Sequence, residues 1–205
     1  MTSEVASQSQ ADPAPRRGVI TLVRHGEPAL SRKIKLNGDE YRAWWARYEL
    51  GSIREGQAAP EEIRAFARDA DVIFASTRKR AIESCELAVA GKPYTLDETM
   101  IEAPLPPPPF PSFVRMGPRK WGFISRFCWW YFRYGEGGET RAQAEVRAGG
   151  VADRLIAAAD AGQEVMVVAH GFFNTMIGIQ LKLRGWRRIG GRGWRYWNTR
   201  RFAKV

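Results

Sequence analysis

The chain contains two histidines, and each one follows an apolar, strand-like segment and precedes a glycine. His25 comes directly after residues 19–24, and His170 comes directly after residues 165–169. In open α/β sheets, ligands bind in the crevice outside the carboxyl ends of the strands. We therefore expect both imidazoles to lie in one site, at the same edge of a parallel sheet.

The segment Arg24-His25-Gly26-Glu27 indicates nucleophilic chemistry on a phosphate. A cation beside an imidazole disfavours the imidazolium, so Arg24 is expected to lower the pKa of His25. A neutral ring nitrogen is a nucleophile, and a guanidinium fork matches the oxygens of a phosphate. Gly26 allows the backbone to approach a ligand closely. For this segment alone, a buried histidine with a structural role is the alternative.

A basic segment from Ser76 to Arg80 follows a second apolar run and opens a predicted helix. Ser76 is predicted to cap that helix, whose first amides favour anions. Arg80 comes one helical turn later and can return toward the same site. Three cations at the positive end of a helix are unfavourable without an anion. This favours an anion-binding role over a solvated first turn.

Glu102 precedes a proline-rich segment and is expected to reach the same sheet edge. A carboxyl near a phosphoryl leaving group can act as a general acid, whereas a surface glutamate is the alternative. Two histidines and a glutamate could also bind a metal ion. The sequence has no HxH or HExxH spacing, and the neighbouring arginines would repel a dication. We therefore predict that no metal is bound.

The elements that must position these residues alternate between strand and helix patterns. Strands are predicted at residues 18–23, 71–76, 94–96 and 164–169, with an extended piece ending at 100–102 and a last edge strand near 199–205. Helices are predicted at residues 39–50, 60–69, 77–90, 121–134, 139–161 and 172–183. Alternating strands and helices predict an α/β fold, a three-layer α/β/α sandwich with a mostly parallel central sheet.

We expect a disordered leader at residues 1–17 and a single domain over residues 18–205. Within the domain, a cap segment rich in proline and aromatic residues spans about 103–138, and a basic tail spans about 184–205. The aromatic stretch 121–134 is too short and too charged to cross a bilayer. It is predicted to pack on the core, with two alternatives: a lid that selects a hydrophobic or aromatic phosphate ester, or a helix in peripheral contact with anionic lipid.

The formal net charge of +10 comes from one end of the chain, because residues 165–205 hold nine Lys or Arg and no Asp or Glu. This local field attracts phosphate-bearing ligands or an anionic membrane surface without implying a DNA-reading fold. Arginine interleaved with aromatic residues suits single-stranded RNA or cation–π packing onto the domain. We predict packing and no nucleic-acid partner. Cys85 and Cys128 show no paired or zinc-ligand spacing, which predicts reduced thiols and a cytoplasmic protein.

Taken together, these motifs resemble the histidine phosphatase superfamily, branch 1, the phosphoglycerate-mutase-like enzymes. The resemblance covers about residues 18–183. The matching motifs, in chain order, are Arg24-His25-Gly26-Glu27, Ser76 with Arg80, Glu102, Gly138-Glu139-Thr140 and His170-Gly171.

The resemblance implies a phosphatase that hydrolyses a small-molecule phosphomonoester without a metal or cofactor. It implies that His25 attacks phosphorus in line and that Glu102 protonates the leaving alcohol, then takes a proton from water. The residues implied to hold the phosphate oxygens are Arg24, Arg80, His170 and Gly171.

The chain departs from the family pattern shortly after the first motif, where Pro28-Ala29-Leu30-Ser31 replaces the usual asparagine. Candidate replacements for that phosphate ligand are Ser31, Arg32 and Asn174, and Ser76 is a further secondary candidate. The extended substrate contacts of glycolytic mutases are not recognisable, which favours hydrolysis. The alternatives are a phosphoglycerate-mutase-like phosphotransferase and a non-catalytic module that binds anions or RNA.

Overall fold

The computed structural model describes residues 18–132, 134–191 and 193–204, so the leader predicted at residues 1–17 lies outside the described residues. The strands in chain order are β1 (Ile20–Arg24), β2 (Val72–Ser76), β3 (Thr95–Asp97), β4 (Val165–Ala169), β5 (Trp186–Gly190) and β6 (Thr199–Lys204). The α-helices are α1 (Gly38–Leu50), α2 (Glu61–Asp69), α3 (Lys79–Val89), α4 (Pro118–Phe132), α5 (Arg141–Asp160) and α6 (Gly171–Leu183).

The strands form one sheet in the order β3-β2-β4-β1-β6-β5. β3, β2, β4 and β1 run parallel, whereas β6 pairs antiparallel with β1 and β5 pairs antiparallel with β6. β4 is buried along its whole length, as expected for a strand covered on both faces. The sheet is therefore mostly parallel, as the sequence predicted.

Alternate residues of the central strands enter two different hydrophobic cores. Val165 and Val167 of β4 belong to a core with α5 and α6, whereas Met166 and Val168 belong to a core with α2 and α3. This alternation places helices on both faces of the sheet, which confirms the predicted three-layer α/β/α sandwich. Cys85 lies in the second core and is a free thiol, and burial raises its pKa to about 12.

A third, smaller cluster lies between α1 and α4. Tyr41, Trp44 and Tyr48 of α1 are buried there against Trp121 of α4. The Tyr41 and Trp121 rings stack with their centroids 5.7 Å apart, and Asn37 caps the start of α1 in a capping box. The two helices together form a cap, so the predicted cap segment at about 103–138 gains α1 as a partner.

Within the basic tail predicted at about 184–205, the described residues include β5 and β6. The prediction of a last edge strand near 199–205 is wrong, because β6 lies between β1 and β5 instead of at the edge of the sheet. The edge strand is β5, whose exposed Arg187 and Arg188 are typical of a charged strand that discourages further pairing. Residues 98–100 form a 3-10 turn that Asp97 caps, so the extended piece predicted to end at residues 100–102 is wrong at Met100. A tail arginine makes a cation–π contact with the rest of the domain, since the Arg201 guanidinium lies 4.6 Å from the Phe66 ring of α2.

Helix α4 has one buried face and one exposed aromatic face. Trp121 and Trp129 are buried, which confirms that the aromatic stretch packs on the core. Phe123, Phe127 and Tyr131 follow each other at four-residue intervals and are 70 %, 46 % and 67 % exposed. No helix in the described ranges has the length and apolar character needed to cross a bilayer.

Candidate active site

The two histidines meet at the carboxyl ends of β1 and β4. These strands are parallel neighbours, with Arg24 opposite Ala169, so the residues that follow them leave the sheet side by side. The ring centroids of His25 and His170 are 5.2 Å apart. Both side chains are buried, with exposures of 1 % and 0 %. The structure thus brings together the two imidazoles that the sequence assigned to one sheet edge.

His25 is held as a neutral imidazole with one nitrogen left for chemistry. Its Nδ1 lies 2.8 Å from the carbonyl oxygen of Gly26, which can only accept, so Nδ1 carries the proton. Burial lowers the pKa of His25 well below its usual value, and the charges of Arg80 and Arg24 lower it further. The lone pair is therefore on Nε2, as a nucleophile requires.

His170 uses both of its nitrogens within the protein. An Nη2 proton of Arg80 is donated to Nδ1 over 3.2 Å, and Nε2 lies 2.9 Å from the hydroxyl oxygen of Ser76. Because Nδ1 accepts, Nε2 carries the proton and donates it to Ser76. Burial, followed by the charge of Arg80, lowers the pKa of His170 well below its usual value.

The prediction that Ser76 caps the following helix is wrong. α3 begins at Lys79, and its N-cap residue is Arg78, which makes no side-chain capping bond. The Ser76 hydroxyl lies at the end of β2, where it forms a hydrogen bond with His170. It also accepts a long hydrogen bond of 3.4 Å from the Arg78 amide. Ser76 therefore belongs to the site through the second histidine.

Arg80 is a buried cation with 1 % exposure, and the end of α1 surrounds it. Nη2 lies 2.7 Å from a carboxylate oxygen of Glu49, and Nη1 donates to the carbonyl oxygens of Tyr48 and Glu49 over 3.0 and 3.1 Å. Arg78 also pairs with Glu49, at 3.1 Å. The anion expected beside this basic segment is thus Glu49 of the chain itself. No local sequence signal indicates Glu49, because the pair joins residues 31 positions apart.

Arg24 and Arg32 approach His25 from the other side of the site. The Arg24 guanidinium donates to the carbonyl oxygen of Trp194 and lies 4.5 Å from the Tyr196 ring. Arg32 donates to the Tyr48 hydroxyl over 2.9 Å and lies 5.3 Å from the Tyr196 ring. The charges of both arginines lower the pKa of His25.

Three arginine N–H groups around His25 lack an acceptor. The Nε atoms of Arg24, Arg32 and Arg80 are buried and have no hydrogen-bond partner within the described part of the chain. Buried polar groups are nearly always hydrogen-bonded. Among the described residues, the Nε atoms of Arg126 and Arg201 are likewise without a partner, but Arg24, Arg32 and Arg80 are the arginines whose charges lower the pKa of His25.

The segment between β5 and β6 covers this site, although the sequence assigned it only to a basic tail. The Trp197 amide donates to the Arg24 carbonyl over 3.2 Å, and the Trp197 indole donates to Gln57 over 3.2 Å. These bonds hold the Tyr196 ring 5.9 Å from the His25 ring. The Tyr196 ring therefore lies beside the buried imidazole.

Glu102 lies at the N-terminus of α6, next to the second histidine. Its carboxylate accepts hydrogen bonds from the amides of Phe173 and Phe172 over 2.8 and 3.3 Å. Burial lowers the pKa of Arg24, and the negative charge of Glu102 offsets part of this effect. Gly171 lies against the same arginine, since a Cβ at this position would approach Arg24 Nε to 3.0 Å. Among the described residues, no group of three His, Cys, Asp or Glu side chains could hold a metal ion.

Of the three candidate replacements for the family asparagine, only Arg32 lines the pocket that lies between α1 and α4. Ser31 is exposed, and its hydroxyl accepts a bond from the Lys33 amide over 3.2 Å. Asn174 is buried, and its amide donates to the Val23 carbonyl over 3.0 Å. In the Gly138-Glu139-Thr140 motif, Glu139 pairs with Arg147 at 2.7 Å and Thr140 caps α5, so both make structural contacts.

A pocket of about 1140 Å³ extends from the arginines between α1 and α4. Arg24, Arg32, Gly171 and Tyr196 line the end nearest His25. Aromatic side chains of the two cap helices line much of the remainder. One face of the aromatic helix α4 packs inward, as predicted, and the other borders this pocket.

The sequence model of the histidine phosphatase superfamily (branch 1) matches residues 20–189 of the chain. A search of curated proteins found no match to the chain. Phosphoserine phosphatase from Entamoeba histolytica, in complex with 3-phosphoglyceric acid, is similar with a TM-score of 0.55 and 16 % identity over 81 % of this chain and 80 % of that one.

Two further solved structures are similar over more of the chain. Phosphoglycerate mutase from Bacillus anthracis has a TM-score of 0.54 and 14 % identity over 94 % of each chain. Ecdysone phosphate phosphatase from Bombix mori, in complex with tungstate, has a TM-score of 0.53 and 12 % identity over 92 % of each chain. At these identities the similarity shows the fold alone.

The lowered pKa values of the two histidines predict that acid destabilises the fold. Below a pH of about 6.5, the usual histidine pKa, both imidazoles are protonated in the unfolded chain but stay neutral in the fold. The free energy of unfolding therefore falls as pH falls. Between pH 7.5 and 5.5, each histidine is expected to cost about 1.4 kcal/mol. Urea unfolding at the two pH values measures the loss, and a His25→Asn/His170→Asn variant should lose less. Equal stability of the wild type at both pH values would contradict the buried neutral pair.

Proposed function

We propose that this chain, which belongs to the histidine phosphatase superfamily (branch 1), hydrolyses a phosphomonoester through a phosphohistidine on His25. The observation that carries the proposal is the set of three buried Nε–H groups without acceptors around a neutral imidazole. A phosphate dianion would supply acceptors for Arg24, Arg32 and Arg80 and would stand in front of His25 Nε2. The proposal therefore uses the site's unpaired donors and its free lone pair together.

In the first step, the lone pair of His25 Nε2 forms a bond to phosphorus while the bond from phosphorus to the ester oxygen breaks. The hydrogen bond from Nδ1 to the Gly26 carbonyl keeps the ring oriented and stabilises the positive charge that the ring acquires. The arginines stabilise the charge on the equatorial phosphate oxygens. Glu102 takes up a proton when the phosphate binds and donates it to the departing alkoxide, which leaves as an alcohol.

In the second step, Glu102 removes a proton from a water molecule, and the resulting hydroxide oxygen attacks phosphorus. The bond between phosphorus and Nε2 breaks, which returns the lone pair to His25 and releases inorganic phosphate. No redox change or additional reactant is required. The position of Glu102 at the N-terminus of α6, beside His170 and Gly171, supports this role.

His170 is proposed to bind a phosphate oxygen through its Nε2–H. In the resting site this proton is donated to Ser76, so a phosphate oxygen would replace the serine hydroxyl as acceptor. Arg80 would keep Nδ1 in its accepting form throughout, because the guanidinium is itself fixed by Glu49. Arg32 is proposed to take the role of the family asparagine, since it lines the pocket and acts electrostatically on His25.

Similar folds include both a phosphatase and a mutase. We favour hydrolysis because aromatic side chains form much of the wall beyond the phosphate site and the extended substrate contacts of glycolytic mutases are not recognisable in the sequence. A cytoplasmic location, peripheral contact with anionic membranes and the absence of a nucleic-acid partner stay predictions.

The His25→Ala variant tests the proposal with a generic aryl phosphate as substrate and EDTA in the buffer. Removing the nucleophile is expected to lower kcat/KM by at least about 1000-fold, because the covalent route is lost. The wild-type enzyme should keep its rate in EDTA. An unchanged rate in His25→Ala would overturn the proposal.

The neighbouring residues Arg32 and Ser31 provide a matched pair for the replaced asparagine. Arg32→Ala should lower kcat/KM by about 100-fold, since a charged donor to the transition state is lost. Ser31→Ala, an exposed neighbour, should change it by less than about twofold. The reverse order of effects in steady-state kinetics would assign the ligand to Ser31.

A further inference from the structure

The pocket beside the phosphate site is larger than a small phosphometabolite needs. Its volume of about 1140 Å³ exceeds the range of roughly 300–1000 Å³ that is typical for drug-sized ligands. A phosphorylated amino acid or three-carbon acid would fill only the end near Arg24 and Arg32. Water would then occupy the remainder, against aromatic walls. This mismatch indicates a substrate with a large body beyond its phosphate.

The walls of the pocket show what kind of body this is. They are built from aromatic rings on three helices: Trp44 and Trp45 on α1, Phe123, Phe127 and Trp130 on α4, and Phe172 on α6. Such rings favour apolar groups, because burying their surface removes it from water.

Two aromatic side chains of α4 are exposed to solvent where they border the pocket. Phe123 is 70 % exposed and Phe127 is 46 % exposed, although both border a concave surface. Trp121 and Trp129, on the other face of the same helix, are buried and anchor it. The helix thus holds a row of aromatic rings at the pocket, where an apolar ligand would bury them.

The charges along the pocket select an anionic amphiphile over a neutral one. Arg119, Arg126 and Arg195 line it, and none of them forms an ion pair with a residue in the described ranges. The acidic lining residue Glu27 pairs with Arg54 at 3.2 Å. The pocket is therefore positive along its length, which favours entry of the phosphate end.

We infer that the substrate is a phosphomonoester of a long-chain or polycyclic apolar alcohol, whose body lies between α1 and α4 while its phosphate reaches His25. This inference rests on the proposed function and names the class of alcohol that the reaction releases. The aromatic cap binds the leaving group, and the arginines at the sheet edge bind the phosphate.

A series of alkyl phosphates tests the inference, from ethyl phosphate to dodecyl phosphate, with kcat/KM measured below each critical micelle concentration and the rate followed above it as well. The kcat/KM of the wild-type protein is expected to rise by at least about 100-fold along the series, because each added methylene buries apolar surface. The Phe123→Ala/Phe127→Ala variant should reduce the ratio of dodecyl to ethyl activity by at least about tenfold. The control Phe113→Ala, an 82 % exposed aromatic outside the pocket, should keep that ratio.

Three results would overturn the inference. They are equal efficiency along the series, a ratio that the Phe123→Ala/Phe127→Ala variant leaves unchanged, and activity that begins only at the micelle concentration, which would indicate adsorption to a surface. Equal efficiency would leave the proposed hydrolysis standing.

Binding to the His25→Ala variant separates this inference from the proposed function. Quenching of tryptophan fluorescence by dodecyl phosphate and by ethyl phosphate measures both affinities without turnover. If no ester is hydrolysed by the wild type, at least about 100-fold tighter binding of dodecyl phosphate would still support the apolar pocket. Equal binding of the two esters would overturn it.

Discussion

The buried guanidinium of Arg80 is the interaction on which the rest of the site depends. A buried cation is costly unless it is paired and hydrogen-bonded, and Glu49 supplies the charge. The carbonyl oxygens of Tyr48 and Glu49, at the end of α1, supply further acceptors. Arg80 therefore ties the cap to the sandwich and at the same time fixes His170. Its Nε–H is the donor that stays unsatisfied.

The site carries an excess of positive charge around His25 that a bound phosphate would offset. Arg24, Arg32 and Arg80 all act on His25, so the imidazole stays neutral and nucleophilic. The Tyr196 ring lies 5.9 Å from the His25 ring. It is held there by the segment between the antiparallel strands β5 and β6, in which Gly191 and Gly193 adopt positive φ values of 71° and 102° that favour glycine.

The parts of the site that the sequence predicted are those that local pattern controls. β1 and β4 are mostly apolar and rich in β-branched residues, so the two histidines that follow them could be assigned to one sheet edge. Glu49 and Tyr196 could not be predicted, because their roles depend on where α1 and the β5–β6 connection fold back over the sheet. The sequence indicates the correct strand end for Ser76 but the wrong partner, because a hydroxyl can form a hydrogen bond with a helix amide or with an imidazole. β5 escaped prediction because an edge strand rich in arginine lacks alternating apolar residues.

The most direct test of the central claim is to locate the phosphate on the enzyme during turnover. The protein is mixed with an aryl phosphate, quenched in alkali within milliseconds, digested and mapped by mass spectrometry. The account predicts phosphate on the peptide that contains His25, stable to alkali and lost in acid. Phosphate on a serine or threonine that survives acid would contradict it, as would turnover with no covalent phosphate on His25.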